Sequence, residues 1–290
     1  MTKILSFDIG GTKIAYAIID ENGKFLSAIG KEPTPKTSAE IYDLLKATVK
    51  KFEAEIDGVA IATAGGVNNE GTKITSHVGN LPEGYNKTDF VSLTAKSVLV
   101  ENDANSAGWA EFAAGAAKGC KNAVVLTLGT GVGSGIIVNG ALLKGKSGAA
   151  GEMHFPVDTG CKRKCSCGLE DCFEIFASGT ALNLNAKEFM GENATSYDVI
   201  AGLKTGDQNA RAAFDKWQDY LLKGLIMLGN IFDPEMIVLS GSMAEFVEYE
   251  KLNAQANAKI LTQPFVLKKA VFENNAGMIG AALLLAEKLK

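Results

Sequence analysis

Two stretches of the chain share one pattern: an apolar run, a glycine-rich turn that carries a Thr, a second apolar run and an Asn-Gly turn. They are ILSFDIGGTKIAYAIIDENGKFL at 4–26 and VVLTLGTGVGSGIIVNGAL at 124–142. Both central residues of a type I′ turn need positive φ, so Asn22-Gly23 and Asn139-Gly140 indicate tight hairpins. Each stretch therefore predicts an antiparallel meander, with a third run after the Asn-Gly turn, and the chain contains this meander twice.

The remaining sequence alternates strand-like and helical segments. IDGVAIATAGG at 56–66 and SVLVEND at 97–103 are apolar runs typical of strands, whereas 39–54 and 106–117 have the pattern of helices. With 290 residues, 47% of them hydrophobic, the chain is long enough to bury a core in each of two lobes. The alternation predicts an α/β fold with two similar lobes and a cleft between them.

Charge and hydropathy exclude several classes of partner. The net charge is -4 and no Lys/Arg stripe is present, so we expect no nucleic-acid binding. The first apolar run is too short for a signal peptide, and no run approaches the roughly 20 apolar residues of a membrane span. We expect a soluble, cytoplasmic protein that does not bind membranes, in which clustered cysteines hold metal more often than disulfides.

The two glycine-rich turns have the chemistry of phosphate-binding loops. Glycine lacks a Cβ, so a phosphate can approach the exposed backbone N–H groups, and a carboxylate at the end of the first strand can hold Mg²⁺. Neither turn is a P-loop or a dinucleotide fingerprint, and either alone could be an ordinary hairpin turn. As a duplicated pair they predict a nucleotide clamp. The residues of the first loop are Asp8, Gly10, Gly11, Thr12 and Lys13.

Seven short motifs occur in one order along nearly the whole chain. They are DIGGTK at 8–13, ATAGGV at 62–67, ENDAN at 101–105, LGTGVGSG at 128–135, GAAGE at 148–152, CSCGLEDCFE at 165–174 and DPEMIVLSGSMA at 233–244. In this order the chain resembles the ROK family of actin-like sugar kinases. The resemblance implies a duplicated actin-like (ribonuclease H-like) ATPase fold. Its lobes would be 1–115, completed by a C-terminal helix at 277–290, and 116–276.

The resemblance also implies a role for the strand end at 101–103. Asp103 would be the general base on the 6-hydroxyl of a sugar, and Asn102 would bond a second hydroxyl. Orienting the nucleophile matters more than early proton removal in phosphoryl transfer, so Asp103 would chiefly position the hydroxyl. A second interpretation is that residues 102–105 only cap the helix that follows.

The other predicted contacts fall into two groups. The sugar-binding candidates are Gly65, Gly66, Asn80, Asn102, Asp103, Glu152, His154 and Glu174. The candidates for ATP and Mg²⁺ are Asp8, Gly10, Gly11, Thr12, Lys13, Gly129, Thr130, Gly131, Gly241 and Ser242. Ser242 departs from the family pattern, which has a second glycine there. Asn80 could equally be a turn residue, and His77 is interpreted as a surface or turn histidine.

The segment at 151–174 contains four of the five cysteines. Cys165, Cys167 and Cys172 have the spacing of zinc ligands, and a structural site needs a fourth. The family pattern Glu-x-Gly-His would supply a histidine, but here His154 comes one residue early. Cys161 is the alternative fourth ligand. A metal-free loop and, last, a disulfide remain open, and the basic run at 162–164 is interpreted as a solvated loop.

The resemblance implies an enzyme that uses ATP and Mg²⁺, with a structural Zn²⁺, and that forms a homodimer. The expected reaction is phosphorylation of the 6-hydroxyl of N-acetylmannosamine. Glucose and N-acetylglucosamine are alternative substrates. An alternative of another class is a sugar-sensing member that has lost catalysis, although such a protein would be expected to lose Asp103 or a phosphate loop.

Overall fold

The computed structural model describes residues 1–76, 78–157 and 160–290, so the interpretation of His77 lies outside the described residues. The strands are β1 (Lys3–Ile9), β2 (Lys13–Asp20), β3 (Gly30–Pro33), β4 (Gly58–Thr63), β5 (Ser97–Asn102), β6 (Ala123–Leu128), β7 (Val132–Val138), β8 (Ala141–Leu142), β9 (Met236–Ser240) and β10 (Val266–Lys269). The α-helices are α1 (Ser38–Phe52), α2 (Asp103–Ala113), α3 (Glu174–Ala177), α4 (Gly179–Met190), α5 (Ser196–Thr205), α6 (Gln208–Phe232), α7 (Tyr249–Asn257) and α8 (Ala276–Lys288).

The first sheet has the strand order β3-β2-β1-β4-β5. β1 and β2 are antiparallel because the tight glycine turn joins them directly, whereas β4 and β5 run parallel to β1 after longer connections. All six residues of β4 are buried, as its continuous apolar run predicts for an inner parallel strand. The carboxyl ends of β1, β4 and β5 therefore lie at one edge of the sheet.

The second sheet repeats this arrangement, with the order β10-β9-β6-β7-β8. β9 is parallel to β6, β10 is parallel to β9, and β7 and β8 form an antiparallel hairpin. At the hairpin turn Asn139 and Gly140 have φ of 52° and 79°, as a type I′ turn requires. The predicted duplication is present in the strand order itself.

The first meander differs from its prediction in two respects. A turn forms at Asn22-Gly23, but of these two residues Gly23 alone has a positive φ, 82°, so the turn is not the predicted type I′. The run that follows it contributes only an isolated bridge between Ile19 and Phe25. The third strand, β3, begins at Gly30 and pairs with the first half of β2. An Asn-Gly pair therefore predicted the position of the turn correctly and the position of the third strand wrongly.

The chain forms two compact units. The first contains Met1–Gly119, Gly135–Gly151 and Asn274–Lys290, and the second contains Cys120–Ser134 and Glu152–Glu273. The predicted lobes assign 135–151 to the second lobe instead, and their boundaries stay a prediction. Within the described residues, no helix is long and apolar enough to span a membrane.

The C-terminal helix α8 packs closely on α2 inside the first unit. A Cβ at Gly280 would lie 1.6 Å from the carbonyl oxygen of Ser106, so only glycine allows this approach. The hydroxyl of Ser6 on β1 donates to the carbonyl of Met278 over 2.7 Å, which ties the same helix to the sheet. α8 thus completes the core beneath the strand ends of the first sheet.

The close contact between Gly280 and Ser106 predicts that alanine at position 280 destabilises the protein, although alanine usually stabilises a helix. Gly280→Ala should gain about 1 kcal/mol of helix propensity but lose more through the steric conflict with Ser106, for a net loss of roughly 1–3 kcal/mol. Gly277→Ala in the same helix is the matched control, because its Cβ would meet its neighbours at an ordinary 3.4 Å. The free energy of unfolding in urea measures both, and equal stability of the two variants would contradict the packing.

Candidate active site

The first glycine loop joins β1 to β2 and is closed by its own backbone. The N–H of Gly10 donates to the carbonyl of Lys13 over 3.0 Å. Gly11 lies against the main chain of Asn80, where a Cβ would come within 2.6 Å of the Asn80 carbonyl oxygen. Gly11 therefore cannot be replaced without moving this contact, and the structure brings Asn80, a predicted sugar residue, to the predicted phosphate loop.

Asp8 lies at the end of β1, next to the first turn of α8. Its carboxylate oxygen is 3.4 Å from the position that a Cβ would take at Gly277. Burial, and then the negative charge of Asp103, raise the pKa of Asp8 to about 7, and Lys13 opposes the shift. The two predicted functional carboxylates therefore interact electrostatically at the same sheet edge.

Asn102 and Asp103 lie where β5 passes into α2. The side-chain oxygen of Asn102 accepts hydrogen bonds from the N–H groups of Ala104 and Asn105, at 2.9 and 3.0 Å, so Asn102 is the N-cap. Its amide donates to the carbonyl of Gly65 over 3.1 Å. Asp103 is exposed and accepts a bond from Ala104 N–H. The capping interpretation is thus correct for Asn102, and Asp103, although an exposed residue, also accepts from a backbone N–H of the first helical turn.

The loop after β4 is accompanied by three hydroxyl groups that sequence reasoning missed, those of Ser76, Thr63 and Tyr85. Gly66 N–H donates to the hydroxyl of Ser76 over 2.8 Å. The hydroxyls of Thr63 and Tyr85 are buried and 2.8 Å apart. Gly65 has φ 94°, a conformation that favours glycine. The predicted sugar loop is therefore a constrained turn, although only the threonine lies within a recognised motif.

The second glycine loop rests on the first turn of α4. Gly179 N–H donates to the carbonyl of Gly129 over 2.7 Å, and the hydroxyl of Thr180 donates to the carbonyl of Thr130. Ser178 caps α4 by accepting from Ala181 N–H. The sequence signal for this support was the Ser-Gly-Thr run before an apolar helix, a pattern typical of helix starts.

Gly241 follows β9 and lies against the end of β6. It has φ 85°, and a Cβ there would be 2.5 Å from the carbonyl oxygen of Leu128. Ser242, which replaces the family's second glycine, begins a short 3₁₀ helix, Ser242–Phe246. Its φ is not positive, so the serine departs from the family pattern without backbone strain.

A cavity of about 380 Å³ opens between these two segments and α5. Three of the residues predicted to bind ATP line this cavity, namely Gly129, Thr130 and Ser242. Residues that sequence reasoning missed form most of its wall: Gly179, Thr180, Asn183, Ser196, Tyr197, Ile200, Ala201, Lys204, Met243 and Phe246. Its size and mixed lining suit a small polar ligand with one flat apolar part.

The cysteine segment brings four ligand groups together. The ligand atoms of His154, Cys165, Cys167 and Cys172 all lie within 4.8 Å of one another. Cys172 Sγ and His154 Nδ1 are 3.5 Å apart. Cys161 is exposed, and within the described ranges the group does not include its thiol. Of the two alternatives for the fourth ligand, the geometry favours His154.

A bound cation would offset the negative charge that these neighbouring thiols acquire when they ionise. Burial is the main cause that raises the pKa of Cys172 to about 12, and the neighbouring Cys167 and Cys165 thiols add to the shift. Thiolates are the form in which cysteine binds metal, so several of them can coexist here only with a compensating positive charge. Nitrogen and sulfur ligands in a group of four are the set that Zn²⁺ prefers.

Two acidic residues flank this cluster. The side chain of Glu152 is 61% exposed and lies 3.5 Å from His154 Nε2, the ring nitrogen opposite the cysteines. Glu174 accepts from Val132 N–H over 3.0 Å, and its other oxygen lies 3.6 Å from Cys165 Sγ. Glu174 thus links the cysteine cluster to the second glycine loop, which sequence reasoning did not anticipate.

The basic run next to the cluster is partly packed. The Arg163 side chain is only 14% exposed, pairs with Glu188 at 2.8 Å and lies over the ring of Phe176. The carboxylate of Asp171 accepts from the backbone N–H groups of Lys162 and Arg163. The interpretation of 162–164 as a solvated loop is therefore wrong for Arg163, because its guanidinium anchors the loop to α4.

The chain matches the model of the ROK family over residues 4–288. It is 30% identical to glucokinase of Streptomyces coelicolor, covering 99% of this chain and 98% of the relative. It is 32% identical to N-acetylmannosamine kinase of Salmonella typhi, covering 97% of each. Both similarities extend over the whole set of motifs.

A solved structure is similar over the same length. The ROK family glucokinase of Streptomyces griseus, in complex with glucose and AMPPNP, aligns with a TM-score of 0.81 at 29% identity and 99% coverage of both chains. The predicted α/β, actin-like ATPase fold is confirmed by this similarity and by the two mixed sheets.

The raised pKa of Asp8 makes stability depend on pH. Unfolding lowers its pKa from about 7 to 3.8, so the buried carboxylate costs the folded protein increasingly as pH rises from about 4 to 7. In Mg²⁺-free buffer, Asp8→Asn should raise the Tm by a few °C more at pH 8 than at pH 5, since 1 kcal/mol shifts the Tm by about 2–4 °C at this size.

Thermal unfolding of both proteins at the two pH values measures this effect. Asp43→Asn, which removes an exposed carboxylate from α1, should show the same small change at both pH values. A difference between wild type and Asp8→Asn that does not change with pH would contradict the prediction.

Proposed function

Since the chain belongs to the ROK family, we propose that it is an ATP-dependent sugar kinase that phosphorylates the 6-hydroxyl of N-acetylmannosamine. The observation that carries this proposal is the exposed Asp103 carboxylate, held at the strand edge by the capped turn of Asn102 and close enough to Asp8 to raise its pKa. Parallel α/β sheets bind their ligands at this edge.

In the proposed reaction the γ-phosphoryl group of ATP passes to the sugar 6-oxygen, giving ADP and the sugar 6-phosphate. Asp103 accepts the hydrogen bond of the 6-hydroxyl, orients its oxygen, and takes its proton as the new P–O bond forms. The glycine loops offer backbone N–H groups to the phosphates, and Asn102 has a second amide hydrogen for another sugar hydroxyl.

Asp8 suits a hard cation, because it offers carboxylate oxygens beside the first phosphate loop. When bound there through water, Mg²⁺ would neutralise the charge on the transferred phosphoryl group. The raised pKa of Asp8 is consistent with this role, since Lys13 offsets burial and the negative charge of Asp103 only in part.

The cavity beside the second glycine loop supports the assignment of the nucleotide base. Tyr197, at the start of α5, is 85% exposed and forms part of its wall together with Phe246. Adenine can lie against such aromatic faces while its phosphates extend toward Gly129 and Thr130.

The more specific part of the proposal is which sugar the enzyme phosphorylates. The identities to an N-acetylmannosamine kinase and to a glucokinase are 32% and 30%, and they support the two sugars almost equally. We favour N-acetylmannosamine, with glucose and N-acetylglucosamine as competitors. A sugar-sensing protein without catalysis is the alternative of another class.

ADP release over N-acetylmannosamine, N-acetylglucosamine, glucose, mannose and fructose tests the proposal. We expect the highest kcat/KM with N-acetylmannosamine. Asp103→Asn should lower kcat on the best sugar by about 10²–10⁴-fold, the usual contribution of a positioned base, while Asp43→Asn should not. No turnover of any sugar would refute the kinase proposal, and full activity of Asp103→Asn would refute the assigned base.

We also propose that the cysteine cluster binds a structural Zn²⁺ through Cys165, Cys167, Cys172 and His154. A tetrahedral ion about 2.3 Å from sulfur and about 2.1 Å from nitrogen separates the two atoms by roughly 3.6 Å. The 3.5 Å between Cys172 Sγ and His154 Nδ1 fits this value. When bound, the ion would cross-link a loop that otherwise has little regular structure.

Metal analysis of the purified protein tests the zinc proposal. We expect roughly one zinc per chain, lost in Cys167→Ser and reduced in His154→Ala. Cys161→Ser is the matched control, because it removes an exposed thiol of the same loop that lies outside the ligand group. Zinc loss in Cys161→Ser but not in His154→Ala would reverse the fourth-ligand assignment, and metal-free wild type would refute the site.

A further inference from the structure

A buried ion pair lies directly beneath the turn that carries Asp103. Glu101, the last residue but one of β5, is 2% exposed and its carboxylate is 2.8 Å from the ammonium group of Lys144. Both residues belong to the first unit, although 43 positions separate them in the chain. The Lys144 side chain is 18% exposed, so Glu101 bears most of the cost of lost hydration and needs further hydrogen bonds.

The remaining bonds of Glu101 are directed at the strand-to-helix turn. One carboxylate oxygen accepts from the backbone N–H of Asn102 over 3.0 Å and from the side-chain amide of Asn105 over 3.2 Å. The other oxygen accepts from Lys144. Glu101 therefore bonds Asn102 and Asn105, which lie on either side of Asp103 in the chain.

Lys144 is fixed by a second group of contacts. Its ammonium also donates to the carbonyl of Asn68, and the side chain of Asn69 donates to the carbonyl of Gly145. A Cβ at Gly148 would lie 1.6 Å from the carbonyl oxygen of Val67, so the segment that follows β8 lies directly on the turn at 67–69. The Lys144 ammonium is thus held by Glu101 and by the carbonyl of Asn68, and its segment packs on the backbone of the turn at 67–69.

We propose that Glu101 and Lys144 are positioning residues of the phosphoryl acceptor site, which hold Asp103 in the orientation that accepts the sugar hydroxyl. The inference rests on the proposed kinase function and adds to it an ion pair between Glu101, the first residue of the ENDAN motif, and Lys144, which lies outside the seven motifs. Without Lys144, the carboxylate is left with an uncompensated charge and rotates away, and the bonds to Asn102 and Asn105 weaken.

Four variants test this proposal with steady-state kinetics. Lys144→Met and Glu101→Gln should each lower kcat on the best sugar roughly tenfold to a hundredfold, the cost of a small misplacement, with KM for ATP unchanged. The double variant should recover much of this loss, because a neutral Gln amide no longer faces an ammonium group. Lys146→Met, which removes an exposed charge of the same segment, should match wild type.

Hydrogen–deuterium exchange of the peptide that spans 97–108 provides a readout independent of activity. Exchange should rise in Lys144→Met and return toward the wild-type rate in the double variant, while circular dichroism verifies that each variant is folded. Wild-type kcat in Lys144→Met, a raised KM for ATP at constant kcat, or no recovery in the double variant would overturn the proposal.

The two proposals fail in distinguishable ways. If wild type phosphorylates none of the sugars, the proposed function is refuted, and the exchange experiment alone then decides whether the ion pair orders the turn. Unchanged exchange in Lys144→Met would refute the positioning role in that case as well.

Discussion

In each of the two units, the predicted ligand loops depend on close approaches between backbone segments at which only glycine fits. In the first unit Gly11 lies on the carbonyl of Asn80 and Gly148 on that of Val67, and in the second Gly241 lies on that of Leu128. At each point a Cβ would come within 2.6 Å of a main-chain oxygen, closer than any side chain tolerates. These main-chain contacts therefore fix the position of each loop within its own unit.

The duplicated sheets carry different side chains at their strand ends. In the first unit the ends of β1 and β5 carry carboxylates, Asp8 and Asp103. In the second, the end of β6, the counterpart of β1, and the end of β9, the counterpart of β4, carry the glycine turns that contain Gly129 and Gly241. Each unit thus has a glycine turn after the first strand of its meander, to which the first unit adds carboxylates and the second a cavity.

Local signals in the sequence predicted local structure well and distant contacts poorly. The Asn139-Gly140 hairpin and the cysteine spacing are properties of a few consecutive residues. The early position of His154 left the fourth zinc ligand open between His154 and Cys161; the segment of His154 has no regular structure and brings its ring to the three cysteines. The pairing of Glu101 with Lys144 joins segments that are distant in the chain, and no periodicity or turn signal reveals such a contact.

The turn at the end of β5 shows why two interpretations of one motif need not compete. A helix start requires a side-chain acceptor for its first N–H groups, and a kinase requires an available carboxylate. Asn102 meets the first requirement with its amide oxygen, so Asp103 does not have to turn back fully onto the helix. With Glu101 bonded to the N–H of Asn102, the consecutive side chains of 101–103 can combine support, capping and the proposed chemistry. The catalytic hypothesis is thus compatible with the cap, because Asn102 supplies the acceptor for the helix start while Asp103 stays exposed.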